Sequence, residues 1–353
     1  MGVQASDNIR LESENPRSDL AAHPEIHARM LCPISGNNAL NLNLRAGYSA
    51  YAQNPAFNRF YIGPETVLDF EIYAGDFRID LHDRCSLLEN NYEDPTVVGS
   101  GSYTRLENGA GVDAVWDLNK AMMSAGYDHI NYISYDGNDG TTSIFPDSAA
   151  EELTATVGYR MRSDCLAGVE TSGALFHYVQ SGRAFSDALQ ATVGTFLEVH
   201  ISEYLAGRAS LGYSAYLPQR GKDSTMSDNY GLYAHLDLTH KASQFLEYTL
   251  SGGKNVSFAL YGGTIDLTYA QFRANWHLIR KVGLSTSFLF EHGSALSMGG
   301  ETFDRYGPGV SLDRTLAPRL TGTLAYQFYR RDSNMSGRNY TTNMILAHLT
   351  YEF

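Results

Sequence analysis

Three short motifs in this sequence carry residue types that do chemistry. His200-Ile201-Ser202 sets an imidazole two residues from a hydroxyl, a pairing in which a base can activate a nucleophile for ester attack. Gly109-Ala110-Gly111-Val112-Asp113-Ala114 matches the dinucleotide fingerprint letter for letter. That fingerprint works only where a strand hands over to a helix whose amino end holds a pyrophosphate. Asp136-Gly137-Asn138-Asp139-Gly140 gathers hard oxygen donors at the spacing calcium favours, but without the distal Glu that completes an EF-hand loop.

The surrounding elements decide what each motif can be. The chain ends on a strictly alternating run, with Ile345, Ala347, Leu349, Tyr351 and Phe353 on one parity and His348, Thr350 and Glu352 on the other. Period-two alternation describes a strand with two unlike faces. The pattern recurs upstream: Leu40, Leu42, Leu44; Leu68, Phe70, Ile72; Ile79, Leu81; Val112, Ala114, Trp116; Leu153, Ala155, Val157; Leu211, Tyr213; Leu284, Phe288; Leu324, Tyr326, Phe328. About sixteen such runs of roughly 9–14 residues follow one another, near the length that crosses a bilayer at a tilt. Short links, such as 74–76, 118–121 and 162–164, alternate with long Gly/Asn/Asp/Ser-rich ones, such as 88–106, 135–148 and 218–228. In this frame the glycine motif opens a strand ending at Trp116, the His-Ser pair falls in a short turn, and the acidic pentapeptide is a solvated long loop.

Three places fit poorly. Residues 121–134 support either parity. Between 264 and 276 the apolar parity switches, from Ile265, Leu267 and Tyr269 to Phe272, Ala274 and Trp276, which predicts a β-bulge. Phe196 sits on a nominally polar face.

The polar parity carries the most informative charges. Asp69, Glu71, Asp80, Asp113, Glu152, Glu170, Glu198, Asp237, Glu247 and Glu291 share it with Arg45, Arg78, Arg160, Arg208 and Arg273. Such residues cannot face lipid, where a midplane Arg costs ~2–4 kcal/mol. On a closed sheet they point inward, either as salt-bridge ladders filling the interior or as the lining of a wet, acidic passage.

Composition narrows the classes further. A formal charge of −13 over 353 residues argues against a nucleic-acid partner. No run of ~18 apolar residues encodes a membrane helix. Cys32, Cys85 and Cys165 lack disulfide-framework or zinc spacing; Cys32 and Cys165 either meet at one rim or stay free. Residues 1–37 lack a regular period and read as a flexible polar segment before a domain spanning 38–353. The opening Met1-Gly2-Val3-Gln4-Ala5-Ser6-Asp7 has no charged region followed by an apolar one, so it reads either as a mature start with an added Met or as following an upstream start.

The ending Leu349-Thr350-Tyr351-Glu352-Phe353 looks like the terminal signal of bacterial outer-membrane barrels, and residues 38–353 resemble the bacterial outer-membrane β-barrel porin family, of the kind often associated with exopolysaccharide gene clusters. Val67 to Asp83 is the segment most like them. The resemblance implies an all-β, antiparallel up-and-down transmembrane β-barrel of about 16 strands in the bacterial outer membrane. Its partners would be outer-membrane lipid, the barrel-assembly machinery reading Tyr351 and Phe353, small hydrophilic solutes and, in an oligomer, further copies of itself. It implies a passive channel without catalytic residues, metal or cofactor, and the ten acids against five arginines predict a mild cation preference. Export of an exopolysaccharide is the alternative, although the inward Tyr73, Tyr233 and Phe196 make a sparse stacking ladder. His200-Ile201-Ser202 resembles the pair of outer-membrane lipid hydrolases, but Glu203-Tyr204 stands where their Asn-Gly would follow. A soluble β-protein is the remaining reading.

Overall fold

The computed structural model describes all residues except 89–94, 97, 99–103, 136–146, 180–186, 220–227, 259–263, 280 and 296–299. Its described elements are twenty strands and one turn of 3-10 helix, Pro55–Phe57. The strands are β1 (Gly2–Ser6), β2 (Asp19–His23), β3 (Glu25–Ser35), β4 (Asn38–Tyr51), β5 (Arg59–Ile62), β6 (Val67–Ala74) and β7 (Phe77–Leu88). Then follow β8 (Thr104–Asp117), β9 (Ala121–Tyr135), β10 (Ser148–Arg162), β11 (Cys165–Tyr178), β12 (Ala188–Ser202), β13 (Leu205–Pro218) and β14 (Asn229–Ser243). The last six are β15 (Leu246–Phe258), β16 (Thr264–Ile279), β17 (Val282–Ala295), β18 (Thr302–Ala317), β19 (Leu320–Ser333) and β20 (Tyr340–Tyr351).

Every pairing is antiparallel, and from β6 onward each strand pairs with the next in sequence. The ring closes because β1 pairs with both β20 and β2. β2 and β3 are one stave interrupted at Pro24, and β5 and β6 are another; both halves of each pair with β4. The result is a closed antiparallel barrel of eighteen staves. Closure leaves no sheet edge and lets the chain satisfy its backbone polar groups internally, which a lipid environment requires.

The short turns gather at one rim, as the alternation of link lengths predicts. Gly75 (φ +61°) and Asn119 (φ +66°) take the left-handed conformation that these tight reversals need. Both chain termini lie at this rim: the Met1 amine donates to the Leu349 carbonyl at 2.8 Å.

The expected count of about sixteen strands becomes eighteen because residues 1–37 contribute two staves. The reading of that segment as a flexible extension is corrected here. Its outer row, Ile26, Ala28, Met30, Cys32 and Ile34, does alternate, but Leu31 and Pro33 on the other row blur the contrast, and the stave is cut by Pro24. The parity switch in 264–276 is also not a bulge: β16 keeps its register with β15 and β17 from Ile265 to His277. Ile265 and Leu267 face inward because they pack with Phe303. Cys32, Cys85 and Cys165 are free thiols, and Cys32 and Cys165 sit on β3 and β11, far apart around the ring.

Candidate functional site

Cα partners in an antiparallel pair project to the same side of the sheet, so one face can be followed around the ring. Asp69 stands opposite His82, His82 opposite Gly111, Gly111 opposite Asp128, and Asp128 opposite Glu152. The neighbouring row runs Glu71, Asp80, Asp113. Arg78 lies two residues before Asp80 on that face, and Arg45 is four from Asn41, the partner of Asp69. Further on, Arg160 stands opposite Leu166, then Glu198, Arg208 and Asp237 follow in register. Glu170 shares the strand face of Leu166, while Glu247 shares that of Thr249, the partner of Arg273. Glu291 pairs with Tyr269 and Arg305. All fifteen charged positions singled out in the sequence therefore share one face of the closed sheet. The other face carries Leu44, Leu81, Leu211, Leu284 and Phe328; Leu211 is 58 % exposed at the middle of β13. This apolar face is the outside of the barrel.

The inner face divides into two electrostatic regions. On β6–β10, Asp69, Asp80, Asp113, Asp128 and Glu152 crowd around a single imidazole. His82 is buried, its Nε2 donating to Asp128 Oδ1 at 2.7 Å with Nδ1 3.6 Å from Asp113 Oδ2. A Cβ on Gly111 would lie 2.5 Å from the Asp128 carboxylate and 2.6 Å from the His82 ring, so the fingerprint-like glycine serves to clear the wall for this contact. No trio of His, Cys, Asp or Glu among the described residues is arranged to hold a metal ion. Asp128 and His82 were not among the expected site residues; the ambiguous parity of 121–134 hid the former.

Elsewhere several of the acids pair with arginines. Arg208 Nη2 donates to Glu170 at 2.6 Å, Nη1 reaches Glu198 at 3.4 Å, and the guanidinium lies 4.4 Å from the centroid of Phe196. Phe196, anomalous by parity, lies flat over Gly158 and Gly168, where a Cβ would stand 3.2 and 2.8 Å from its ring. Tyr233 donates to the other oxygen of Glu170 at 3.2 Å. Arg45 bridges Glu25 at 3.0 Å and Glu65 at 2.8 Å, and His348 meets Glu25 at 3.0 Å across the closing seam. Arg160 pairs with Asp117 at 3.2 Å, and Arg305 with Glu291.

At the long-loop rim, Glu301 accepts from Arg338 at 2.8 Å and Ser333 at 2.7 Å, with Arg331 2.9 Å away. Arg331 in turn donates to the Pro95 carbonyl at 3.2 Å and Arg338 to the Thr96 carbonyl at 3.1 Å, while Val98 is buried with Leu11 and Tyr340. Parts of two long connections are thus pinned against the inner wall. Arg305 and Arg331 escaped notice in the sequence because they lie at strand ends, where alternation gives way to loop composition.

Glu301 supplies a pH prediction. Burial pushes its carboxyl up, but hydrogen bonds from Arg338 and Ser333 and the charges of Arg331 and Arg338 outweigh that and hold it below the ordinary 4.5. With the folded value depressed, its stabilisation is complete above the unfolded value and lost as pH falls through the folded one. Acidification to about pH 3 should therefore loosen this corner, and Glu301→Gln should loosen it at neutral pH. Proteolytic nicking within 333–339 of the folded barrel is the measurement, with faster cleavage expected in both cases; unchanged resistance would count against this role.

His200 and Ser202 end β12 at the short-turn rim, where the Ser202 hydroxyl accepts from the Tyr204 amide at 3.2 Å. The acidic pentapeptide 136–140 lies outside the described residues.

The family described as "Putative beta-barrel porin 2" matches residues 1–353. No curated protein matches the chain in sequence. Among solved structures it is similar to OccK2 of Pseudomonas aeruginosa in complex with glucuronate, at 11% identity and a TM-score of 0.53, covering 100% of this chain and 98% of that one. It is similar to the FrpB iron transporter of Neisseria meningitidis, at 10% identity and a TM-score of 0.54, covering 94% and 61%. It is also similar to OpdK of Pseudomonas aeruginosa with vanillate, at 11% identity and a TM-score of 0.51, covering 99% and 96%. At these identities the likeness is one of fold.

Proposed function

Because the chain belongs to the β-barrel porin family and so forms an outer-membrane channel for small solutes, we propose that its fifteen inward charges line that channel and make it mildly cation-preferring. An eighteen-stave barrel is too wide for side chains alone to fill. Selection then rests on bore and lining charge. The observation that carries the reading is the distribution of pairing. Arg208 of β13 and Arg305 of β18 are matched by carboxylates, which cancels much of their field. Asp69, Asp80, Asp113, Asp128 and Glu152 form no ion pair with an arginine among the described residues; His82 lies between Asp113 and Asp128, and the Arg84 charge reaches Asp69 only from farther off. A low-dielectric wall focuses that residual negative field on permeating ions. Glucuronate and vanillate, bound to two of the similar structures, are carboxylates; the acidic sector of this chain favours the opposite charge.

The inner face also bears more aromatics than the sequence suggests, but Phe196, Tyr216, Phe303 and Tyr340 are covered by neighbouring side chains. They offer little stacking surface to a sugar polymer, which weighs against polysaccharide export.

Reversal potentials in a planar bilayer under a KCl gradient test the proposal. Cation preference is expected at low salt and should weaken as the screening length shrinks from ~10 Å at 0.1 M to ~3 Å at 1 M. Replacing Asp69, Asp113 and Asp128 together by Asn should abolish most of it. Anion preference at low salt, or no conductance from correctly folded protein, would defeat an open acidic channel.

A further inference from the structure

Two rows of the inner face change character at β10. One runs Asp69, His82, Gly111, Asp128, Glu152, Ala174, Gln190 from β6 to β12. The other runs Asp113, Gly126, Thr154, Ser172, Thr192, Ser214 from β8 to β13. Carboxylates dominate both rows as far as β10. Beyond it the first row turns to a methyl group and an amide, and the second becomes a line of hydroxyls. Gly126 marks the join: a Cβ there would collide with both the Asp113 carboxylate and the Thr154 hydroxyl.

A cavity of about 120 Å³ opens at this join, lined by Glu152, Thr154, Ser172, Ala174, Phe176 and Gln190. Its shape follows from the register. Ala174 forms the floor, one strand from Glu152 and one from Gln190. At ~4.8 Å per strand those two walls have Cα atoms about 10 Å apart. Ser172 and Phe176 flank Ala174 along β11, and Thr154 stands beside Ser172. The buried ring of Phe176 makes one end apolar, while the hydroxyls make the other polar. The polar groups around this floor are open, unlike those of the Arg208 network. Among the described residues the Glu152 carboxylate forms no ion pair or hydrogen bond, and the hydroxyls of Thr154 and Ser172 form no hydrogen bond. Gln190 donates its amide nitrogen to the Val256 carbonyl at 3.2 Å, which leaves its amide oxygen to face the cavity.

We propose that this cavity is a binding subsite for a protonated amino sugar, a single ring carrying one ammonium and several hydroxyls. The ammonium belongs at Glu152, where an unpaired carboxylate and Asp128 on the neighbouring strand together favour positive charge. Ring hydroxyls match Thr154, Ser172 and the Gln190 oxygen, which between them supply donors and acceptors. The C–H face of the ring lies over Ala174 and against Phe176. A sugar acid is repelled at Glu152, and a simple amine leaves the hydroxyl wall unmet. A divalent cation finds no trio of ligands among the described residues. The proposal rests on the reading of β6–β10 as an acidic sector and names a solute which that sector would collect.

The test uses the full chain refolded into planar bilayers, with heat-modifiable migration as the check on folding and current block by added solute as the readout. At about pH 6 the amine of glucosamine is protonated, and it should block the current saturably. Glucose has the hydroxyls without the charge, and cyclohexylamine has the charged ring without the hydroxyls. Each should need a concentration about tenfold higher for half-block, as the loss of one charge-assisted hydrogen bond or of two neutral ones implies. Glu152→Gln should raise the half-blocking concentration of glucosamine by about tenfold. Ala174→Leu, which fills the floor and keeps every charge, should abolish saturable block. The reversal potential in the same bilayers reports the charge preference separately. Cation preference without saturable block by glucosamine would overturn the subsite and leave the acidic sector standing; anion preference would overturn the acidic-sector reading on which it rests. Equal block by cyclohexylamine or glucose, or glucosamine block that survives both substitutions in folded channels, would also overturn the subsite.

Discussion

Leu211→Arg should destabilise the folded barrel by about 2–4 kcal/mol. The residue sits at the middle of β13 on the outer face, in register with Thr195 and Ala234, and more than half of it is exposed to the surroundings of the barrel. In the outer membrane those surroundings are acyl chains, so a guanidinium there must drag in water or snorkel from the deepest point of the bilayer. Three residues away on the inner face, Arg208→Leu removes a partner from Glu170 and Glu198, yet water in the lumen can solvate the carboxylates left behind. About 1 kcal/mol is expected for that change, within the range of partly exposed ion pairs. Equilibrium denaturant titration in lipid vesicles gives both values. If Arg208→Leu proved the more damaging, or if a water-soluble maleimide labelled a cysteine at 211 faster than one at 208, the assignment of faces would be reversed.

The contrast between those two positions explains why so much of this fold is legible in sequence. Lipid outside and water inside impose opposite demands on alternate residues, run after run around the ring. The sorting of short and long links follows from the same asymmetry, since only one rim needs to be compact. Legibility fails where the interior ceases to be water. Ile265, Leu267 and Phe303 are apolar residues on the inner parity because they pack on one another in a small core of their own, and read linearly they look like a slipped strand. Phe196 looked misplaced because its ring is roofed by Arg208 and floored by two glycines drawn from other strands. The staves formed by residues 1–37 fail for a different reason: β1 is five residues long, too short for periodicity to register, and Pro24 splits the next. Which arginine answers which carboxylate was beyond reach, because Arg208 meets Glu170 two strands away and the two are neighbours only once the register is fixed.

Removing Tyr351 to Phe353 should cut the amount of folded barrel in cells several-fold while leaving refolding into vesicles nearly intact. The two outcomes separate because the segment does little for the finished wall. Tyr351 closes the β19–β20 ladder opposite Leu320, and the Glu352 amide donates to the Arg319 carbonyl at 2.9 Å. Losing one terminal pair and one hydrogen bond at a strand end costs on the order of 1 kcal/mol. Tyr351 and Phe353 otherwise touch each other edge to face, with centroids 5.1 Å apart, and Phe353 projects fully exposed from the short-turn rim. A pair of aromatics held outside the barrel at that level suits the membrane interface, and the resemblance of this ending to the outer-membrane assembly signal predicts a role before the wall exists. The purely anchoring alternative predicts a parallel loss in cells and in vesicles. Substituting Phe353 alone by Ala separates the two further: the last residue has no ladder partner, so an assembly role predicts reduced folded yield in cells with unchanged denaturant stability of what does fold. Unchanged folded yield in cells for both variants would exclude that role.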